Sequence, residues 1–260
     1  MRFDDGPGDH DRPDHSAKNG KPSMTTDWSQ ERLLIYAPHP DDETLGCGGL
    51  MSKAKRAGAE VYVQFMTVGD TADESPKGFS TAMERHTEIK KVSEHFLWDD
   101  WHMALPGDAY HLRLDSVPRV DLTRLIERES PISIARLEPT VVLVPHRTSY
   151  NQDHQATAEA VHTALRPSDT RLRHHPRLVL AYEEAADQWR AEPADSPNLI
   201  VELEEEDLLA KLHGMELYGS QTHSHPHTRS ELTLRSLSVL RGMQAGVCLG
   251  EGYHVLRHLA

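Results

Sequence analysis

Leu33-Leu34-Ile35-Tyr36-Ala37-Pro38-His39-Pro40-Asp41-Asp42-Glu43-Thr44-Leu45-Gly46-Cys47-Gly48-Gly49 runs from five apolar residues, through a polar turn framed by two prolines, into a glycine-rich segment. An unbroken apolar run of this length is the pattern of a strand buried on both faces, where no polar alternation is tolerated. Glu43 to Ala57 reads as a helix, closed by Gly58 in the position that favours a left-handed residue. Val61 to Met66 is a second strand, residues 80–96 a charged amphipathic helix, and Pro106 to Pro118 a loop before helical pattern resumes over Val120 to Arg128. Val141 to Val144 is again strand-like, and Asp153 to Leu165 is a helix stopped ahead of Pro167. Leu178 to Ala181 and Leu199 to Val201 are short strands; Glu205 to Tyr218 and Arg229 to Met243 are helices. This alternation predicts one α/β domain over residues 30–260, a Rossmann-like, mostly parallel sheet with helices on both faces. Residues 1–29 hold almost no apolar side chains and read as a flexible polar tail without a secretory pattern.

Composition narrows the function classes. Lys and Arg total 28 against 41 Asp and Glu, a net charge of −13, which argues against a nucleic-acid binder that tracks phosphates with a basic stripe. No apolar run approaches the ~18 residues of a membrane span, so no transmembrane segment is expected. Cys47 and Cys248 are too few for a disulfide framework or an all-cysteine zinc site; both read as small buried hydrophobes, and the expected compartment is the reducing cytoplasm. Eighteen histidines are conspicuous, and their positions decide what they mean.

In a sheet of this kind chemistry gathers where strands end. The turn after the first strand carries three acids and a histidine, which repel phosphates, and its glycines miss the G-x-G-x-x-G spacing of a dinucleotide loop. His39 and Asp42, three residues apart, suit a divalent ion that accepts imidazole nitrogen and carboxylate oxygen. Asp41 lies between them, placed to take a proton from attacking water. The alternative is that Asp41 and Asp42 are acids favouring a helix N-terminus and His39 is merely exposed.

The same thirteen residues from Ala37 to Gly49 resemble the signature of the PIG-L/LmbE family of zinc-dependent N-acetylglucosamine-type deacetylases and related amidases. The resemblance implies a Rossmann-like fold, zinc ligation by His39 and Asp42, and Asp41 as general base. It also implies a third ligand at the end of the strand Val141 to Val144, where Asn151-Gln152-Asp153-His154 takes the place of a His-x-Asp-His-like element. His154 is then the third ligand and Asp153 an acid that orients a ligating imidazole. The sequence departs from the commoner pattern at Asn151, which offers a substrate or oxyanion a hydrogen bond but no proton. Asn151 with Arg166-Pro167 resembles a subset of the family. Pro226-His227-Thr228-Arg229-Ser230 resembles a C-terminal element of the same subset, which implies His227 as an oxyanion or amine partner and Arg229 as a contact for a substrate anion.

Asp70 ends the second strand and is a candidate to line the pocket. Arg85 and Glu88 read either as a solvated helix ion pair or, through the resemblance, as a buttress for the first loop. Tyr182 and Trp189, beside Glu183-Glu184, read equally as a sugar-facing wall or as packing. Specificity is expected in the loops 71–80, 106–118 and 182–198. The combined reading is a zinc-dependent N-deacetylase of an amino sugar or glycoconjugate, with a small-molecule or glycoconjugate substrate and a homo-oligomer possible. Its rivals are a C–N amidase with the same centre, an inactive binding module and a nucleotide-binding protein.

Overall fold

The computed structural model describes residues 27–73, 75, 77–189 and 195–259. The expected tail lies outside them up to residue 26, whereas Trp28–Gln30 form a 3₁₀ turn whose Trp28 packs into the core. Then follow β1 (Arg32–Ala37), α1 (Asp42–Ala57), β2 (Glu60–Val68), the short hairpin of β3 (Thr71–Ala72) and β4 (Phe79–Ser80), α2 (Ala82–Phe96) and β5 (Asp100–Pro106). The chain continues through α3 (Arg119–Arg124), α4 (Ile134–Leu137), β6 (Val141–Pro145), α5 (Gln152–Ala164), β7 (Leu178–Tyr182), β8 (Leu199–Leu203), α6 (Glu205–Leu217), α7 (Glu231–Ala245) and β9 (Leu249–His258).

Seven of these strands form one sheet in the order β5-β2-β1-β6-β7-β9-β8. The first five are mutually parallel, and β9 runs antiparallel to both β7 and β8. The sheet is therefore mostly parallel, as expected. The apolar run of β1 is explained by its two faces. Leu33, Ile35 and Ala37 point into a core shared with α1, α2 and α6, while Leu34 and Tyr36 point into a second core under α3 and α5. Besides the short β3–β4 hairpin, two strands of the sheet carry no strand pattern in the sequence. β5 is an edge strand, half-buried and interrupted by Asp100 and His102, so it lacks the continuous apolar pattern. β9 carries Gly250, Glu251 and Gly252 among its buried residues, a composition that does not advertise a central strand.

The glycines of α1 serve close packing. A Cβ on Gly46 would lie 2.2 Å from the Tyr182 ring, and one on Gly49 would lie 2.4 Å from Leu203. These contacts seat α1 tightly on β7 and β8, and they explain the glycine run without a phosphate. Cys47 is buried as expected, but Cys248 is exposed, because it sits in the turn between α7 and β9. No described helix is long and apolar enough to cross a membrane.

Candidate metal and catalytic site

β1 and β6 are neighbours in the sheet, paired from Leu33–Val141 to Ile35–Leu143, and chain connections leave them in opposite directions along the sheet. That is the switch point where parallel α/β sheets open a crevice at their carboxyl ends. The turn after β1 brings His39 and Asp42 to the crevice, and the first turn of α5 brings His154. One potential ligand atom from each of the three lies within 4.8 Å of the others, and all three side chains are buried. Asp42 Oδ2 stands 3.4 Å from His39 Nδ1 and 3.2 Å from His154 Nε2. Donor atoms about 2.0–2.1 Å from a tetrahedral zinc are separated from each other by ~3.3 Å. Two imidazoles and one carboxylate at these spacings fit a divalent ion and leave a fourth position for water or substrate.

Asp153 stands behind His39. Its Oδ2 hydrogen-bonds His39 Nε2 at 2.9 Å, its Oδ1 accepts the Leu114 N–H at 2.9 Å, and it is wholly buried. Burial works to lower the His39 imidazole, but the hydrogen bonds and charges of Asp153 and Asp42 outweigh it and carry it up to about 9. Burial likewise works to raise Asp42, and the two histidines hold it well below the usual carboxylate range. Asn151 is the N-cap of α5, its Oδ1 accepting the Asp153 N–H at 2.9 Å, and its side chain also borders the pocket. Capping commits the oxygen and leaves only the amide N–H group to offer a ligand.

Asp41 adopts a left-handed backbone, with φ of 114°. A non-glycine residue held there is strained, and such strain persists where the surroundings dictate it. Its side chain makes no capping bond to α1, against the alternative that it merely caps the helix. Neither carboxylate oxygen has a hydrogen-bond partner, although both are buried. Two guanidinium groups face them instead: Arg85 Nη2 at 3.5 Å from Oδ1, and Arg229 Nε at 3.3 Å from Oδ2. Arg85 also donates to the Pro40 carbonyl, so it buttresses the first loop. Glu88 is not its partner; that carboxylate accepts from Ser220 N–H at 2.7 Å and Ser220 O–H at 2.8 Å. Arg229 is a companion of Asp41 and donates to Gln221 Oε1 at 2.8 Å. Glu43 lies beneath, accepting from Asp41 N–H and Tyr218 O–H; burial, with Asp41 nearby, pushes its carboxyl up to about 8.

Of these groups, His39, Asp41, Asp42, Arg85, Asn151, His154 and Arg229 line a pocket of about 290 Å³. All three loops marked for specificity reach it, through Thr71 and Asp73, His111 and Leu112, and Glu184 to Asp187. His223 and His227 border it with their rings 4.2 Å apart. Asp70 does not: it is exposed, and its Oδ1 accepts the Ala82 N–H at 2.8 Å, where it secures the start of α2. Tyr182 is core, its hydroxyl donating to the Tyr36 carbonyl at 3.0 Å, and Trp189 is largely exposed.

Tyr150, His111 and Glu184 also line the pocket, although no sequence motif singles them out. His111 makes an edge-on contact with His39, ring centroids 5.2 Å apart; burial and the charge of His39 push it down to about 4. It sits on a loop with no periodicity, so nothing local marked it. Glu184 follows the end of β7, where the strand-end rule would have found it. Burial, with Asp42, Asp187 and Asp41 close by, raises its carboxyl well above the usual range.

The chain is 29% identical over 192 residues to the 1D-myo-inositol 2-acetamido-2-deoxy-alpha-D-glucopyranoside deacetylase of Corynebacterium urealyticum, covering 63% of this chain and 54% of that protein. The chain thus spans about half the length of that relative. Its fold matches the N,N'-diacetylchitobiose deacetylase of Pyrococcus horikoshii with a TM-score of 0.62 and 23% identity, over 87% of this chain and 84% of the other. The 4-carboxy-2-hydroxymuconate hydratase of Pseudomonas putida shares the fold at a TM-score of 0.64 and 17% identity, over 88% and 98%. The architecture therefore hosts more than one chemistry, and function rests on the site. Residues 34–165, just over half of the chain and the span that carries His39, Asp41, Asp42 and His154, match the PIG-L profile, described as GlcNAc-PI de-N-acetylase, and the chain belongs to that family.

Proposed function

We propose that the protein is a zinc-dependent N-deacetylase acting on an N-acetylated amino sugar or glycoconjugate. The observation that carries the reading is the convergence of His39, Asp42 and His154 beside Asp41, a buried carboxylate whose oxygens have no hydrogen-bond partner. His39, Asp42 and His154 hold the ion. When bound, zinc supplies Lewis-acid polarisation of the acetamide carbonyl and acidifies water.

Asp41 takes the proton from the attacking water and returns it to the departing amine. Arg85 and Arg229 keep that carboxylate at the pocket floor, because each faces one of its oxygens. His227 borders the pocket, its Nδ1 accepting the Arg229 backbone N–H at 3.0 Å, and is the side chain assigned to the developing oxyanion. The Asn151 amide N–H group, also at the pocket, assists. Asp153 fixes the orientation of His39. The pocket volume, at the low end of the ~300–1,000 Å³ usual for ligand sites, suits a single sugar ring.

Amine release from a panel of N-acetylated sugars, run with and without added zinc, tests the reading. Activity confined to non-sugar amides would favour the related C–N amidase. A chain that neither releases amine nor gains activity with any divalent ion would leave the fold as a binding module. Metal analysis of His154→Ala checks the ligand set, with undiminished stoichiometry counting against it once residues 1–29 are removed.

A further inference from the structure

We propose that Glu184 is a positioning residue for His154, holding its ring proton on Nδ1 so that Nε2 is presented to the ion. The inference rests on the metal centre proposed above. An imidazole can ligate through one nitrogen only when its proton occupies the other. His154 turns Nε2 toward Asp42 Oδ2, at 3.2 Å, so an ion held between them would take Nε2 and leave the ring proton on Nδ1. That nitrogen is buried and has no hydrogen-bond partner, and leaving a buried donor unsatisfied is unfavourable. Across from it lies Glu184 Oε1, itself buried and without a partner, 3.9 Å away. The gap is about 1 Å longer than a normal N–H···O bond, a distance that a small side-chain rotation closes. Two buried, unsatisfied groups 3.9 Å apart, one able to donate and the other to accept, are complementary.

The rest of the centre repeats this arrangement. His39 presents Nδ1 to Asp42 and has a carboxylate, Asp153, on its other nitrogen. Each histidine then has its own orienting acid, the pairing that tunes metal-ligating imidazoles elsewhere. The fold also explains why Glu184 stays aimed at its target. Consecutive residues leaving β7 point to opposite sides. Glu183 is tied back by Arg241, whose Nε donates to it at 2.7 Å, so Glu184 faces the crevice. The Glu184 carbonyl then accepts the Asp187 N–H at 3.1 Å, starting the 3₁₀ turn that fixes the loop behind it.

The test compares the full-length wild type with Glu184→Ala and Glu184→Gln. Zinc affinity is measured by competition with a chelating dye, and Tm of the metal-free proteins is recorded alongside. Glu184→Ala is expected to weaken zinc binding by about 10–100-fold. Glu184→Gln keeps an oxygen that accepts the Nδ1 proton and should recover part of the loss, with neither variant lowering the metal-free Tm in proportion. Ring ¹⁵N shifts of His154 should move toward the Nε2-protonated tautomer in Glu184→Ala. An alanine variant that binds zinc as tightly as the wild type, while the wild type binds well, overturns this inference and leaves the proposed function intact. Equal losses in both variants, tracking a fall in Tm, overturn it too by making the role structural. A wild type that binds no metal overturns the proposed function and this inference with it.

Discussion

Replacing Asp41 by asparagine tests the proposed base separately from the proposed ligands. Asparagine tolerates left-handed backbone about as well as aspartate does, so the φ of 114° is kept and the loop should not relax. Alanine would add strain at that φ and confuse the result. The ligand atoms of His39, Asp42 and His154 are untouched, so zinc stoichiometry should stay at one per chain. Stranding a buried charge by removing its partner typically costs about 3–5 kcal/mol. Here Arg85 keeps the Pro40 carbonyl and Arg229 keeps Gln221 Oε1, so neither guanidinium is left without an acceptor and the loss should fall below that range. Turnover has no such reserve, because an amide cannot accept the water proton. A fall of ~10²–10⁴-fold is the scale of general acid–base catalysis, equivalent to about 3–5 kcal/mol in the barrier. The assay is amine release from an N-acetylated amino sugar at saturating zinc, with metal content measured on the same sample. A variant that loses its metal would make Asp41 a ligand, and one that retains near-wild-type turnover would place the base elsewhere.

Three further outcomes are expected. Asp70→Ala removes the acceptor for the Ala82 N–H and should lower stability by about 1 kcal/mol in urea denaturation, while kcat/KM stays at the wild-type value; a rise in KM would return Asp70 to the substrate's surroundings. Gly46→Ala forces a methyl into the Tyr182 ring and should destabilise the protein by about 1–3 kcal/mol, and a neutral result would show that α1 is not seated on β7 as described. Burial acts to raise Glu127, but its bonds to Arg166 and Arg173 outweigh this and hold it below the usual glutamate range. Its contribution is therefore present above pH ~4.5 and fades as pH falls through the lowered folded-state value. Glu127→Gln should cost roughly 0.5–1 kcal/mol at pH 7, with the difference shrinking in acid, and a deficit that persists below pH 3 would point to packing instead.

Local physics made much of this molecule legible beforehand. β1 and β6 carry no polar alternation because both of their faces are covered, and that requirement is written residue by residue into Leu33 to Ala37 and Val141 to Val144. His39, Asp41 and Asp42 share one tight turn, so their proximity needs no knowledge of the fold. Residues whose environment is set by distant partners were not legible in the same way. Asp70 stands at a strand end just as His39 follows one, yet its carboxylate turns to the N-terminus of α2 rather than the crevice, a choice made by where α2 packs.

The chain by itself thus determined the strands that must be buried, the loops that follow them and the acid-histidine chemistry of the first turn, because each depends on neighbours a few residues apart. Only the tertiary structure decided which distant side chains complete the centre. His154 meets Asp42 because β6 pairs with β1, and Glu184 reaches His154 because β7 pairs with β6. Arg85 and Arg229 meet at Asp41 from α2 and from the segment before α7. Sheet order has no local code: it is settled by which apolar faces are buried together, and here that packing places Glu184 Oε1 3.9 Å from His154 Nδ1.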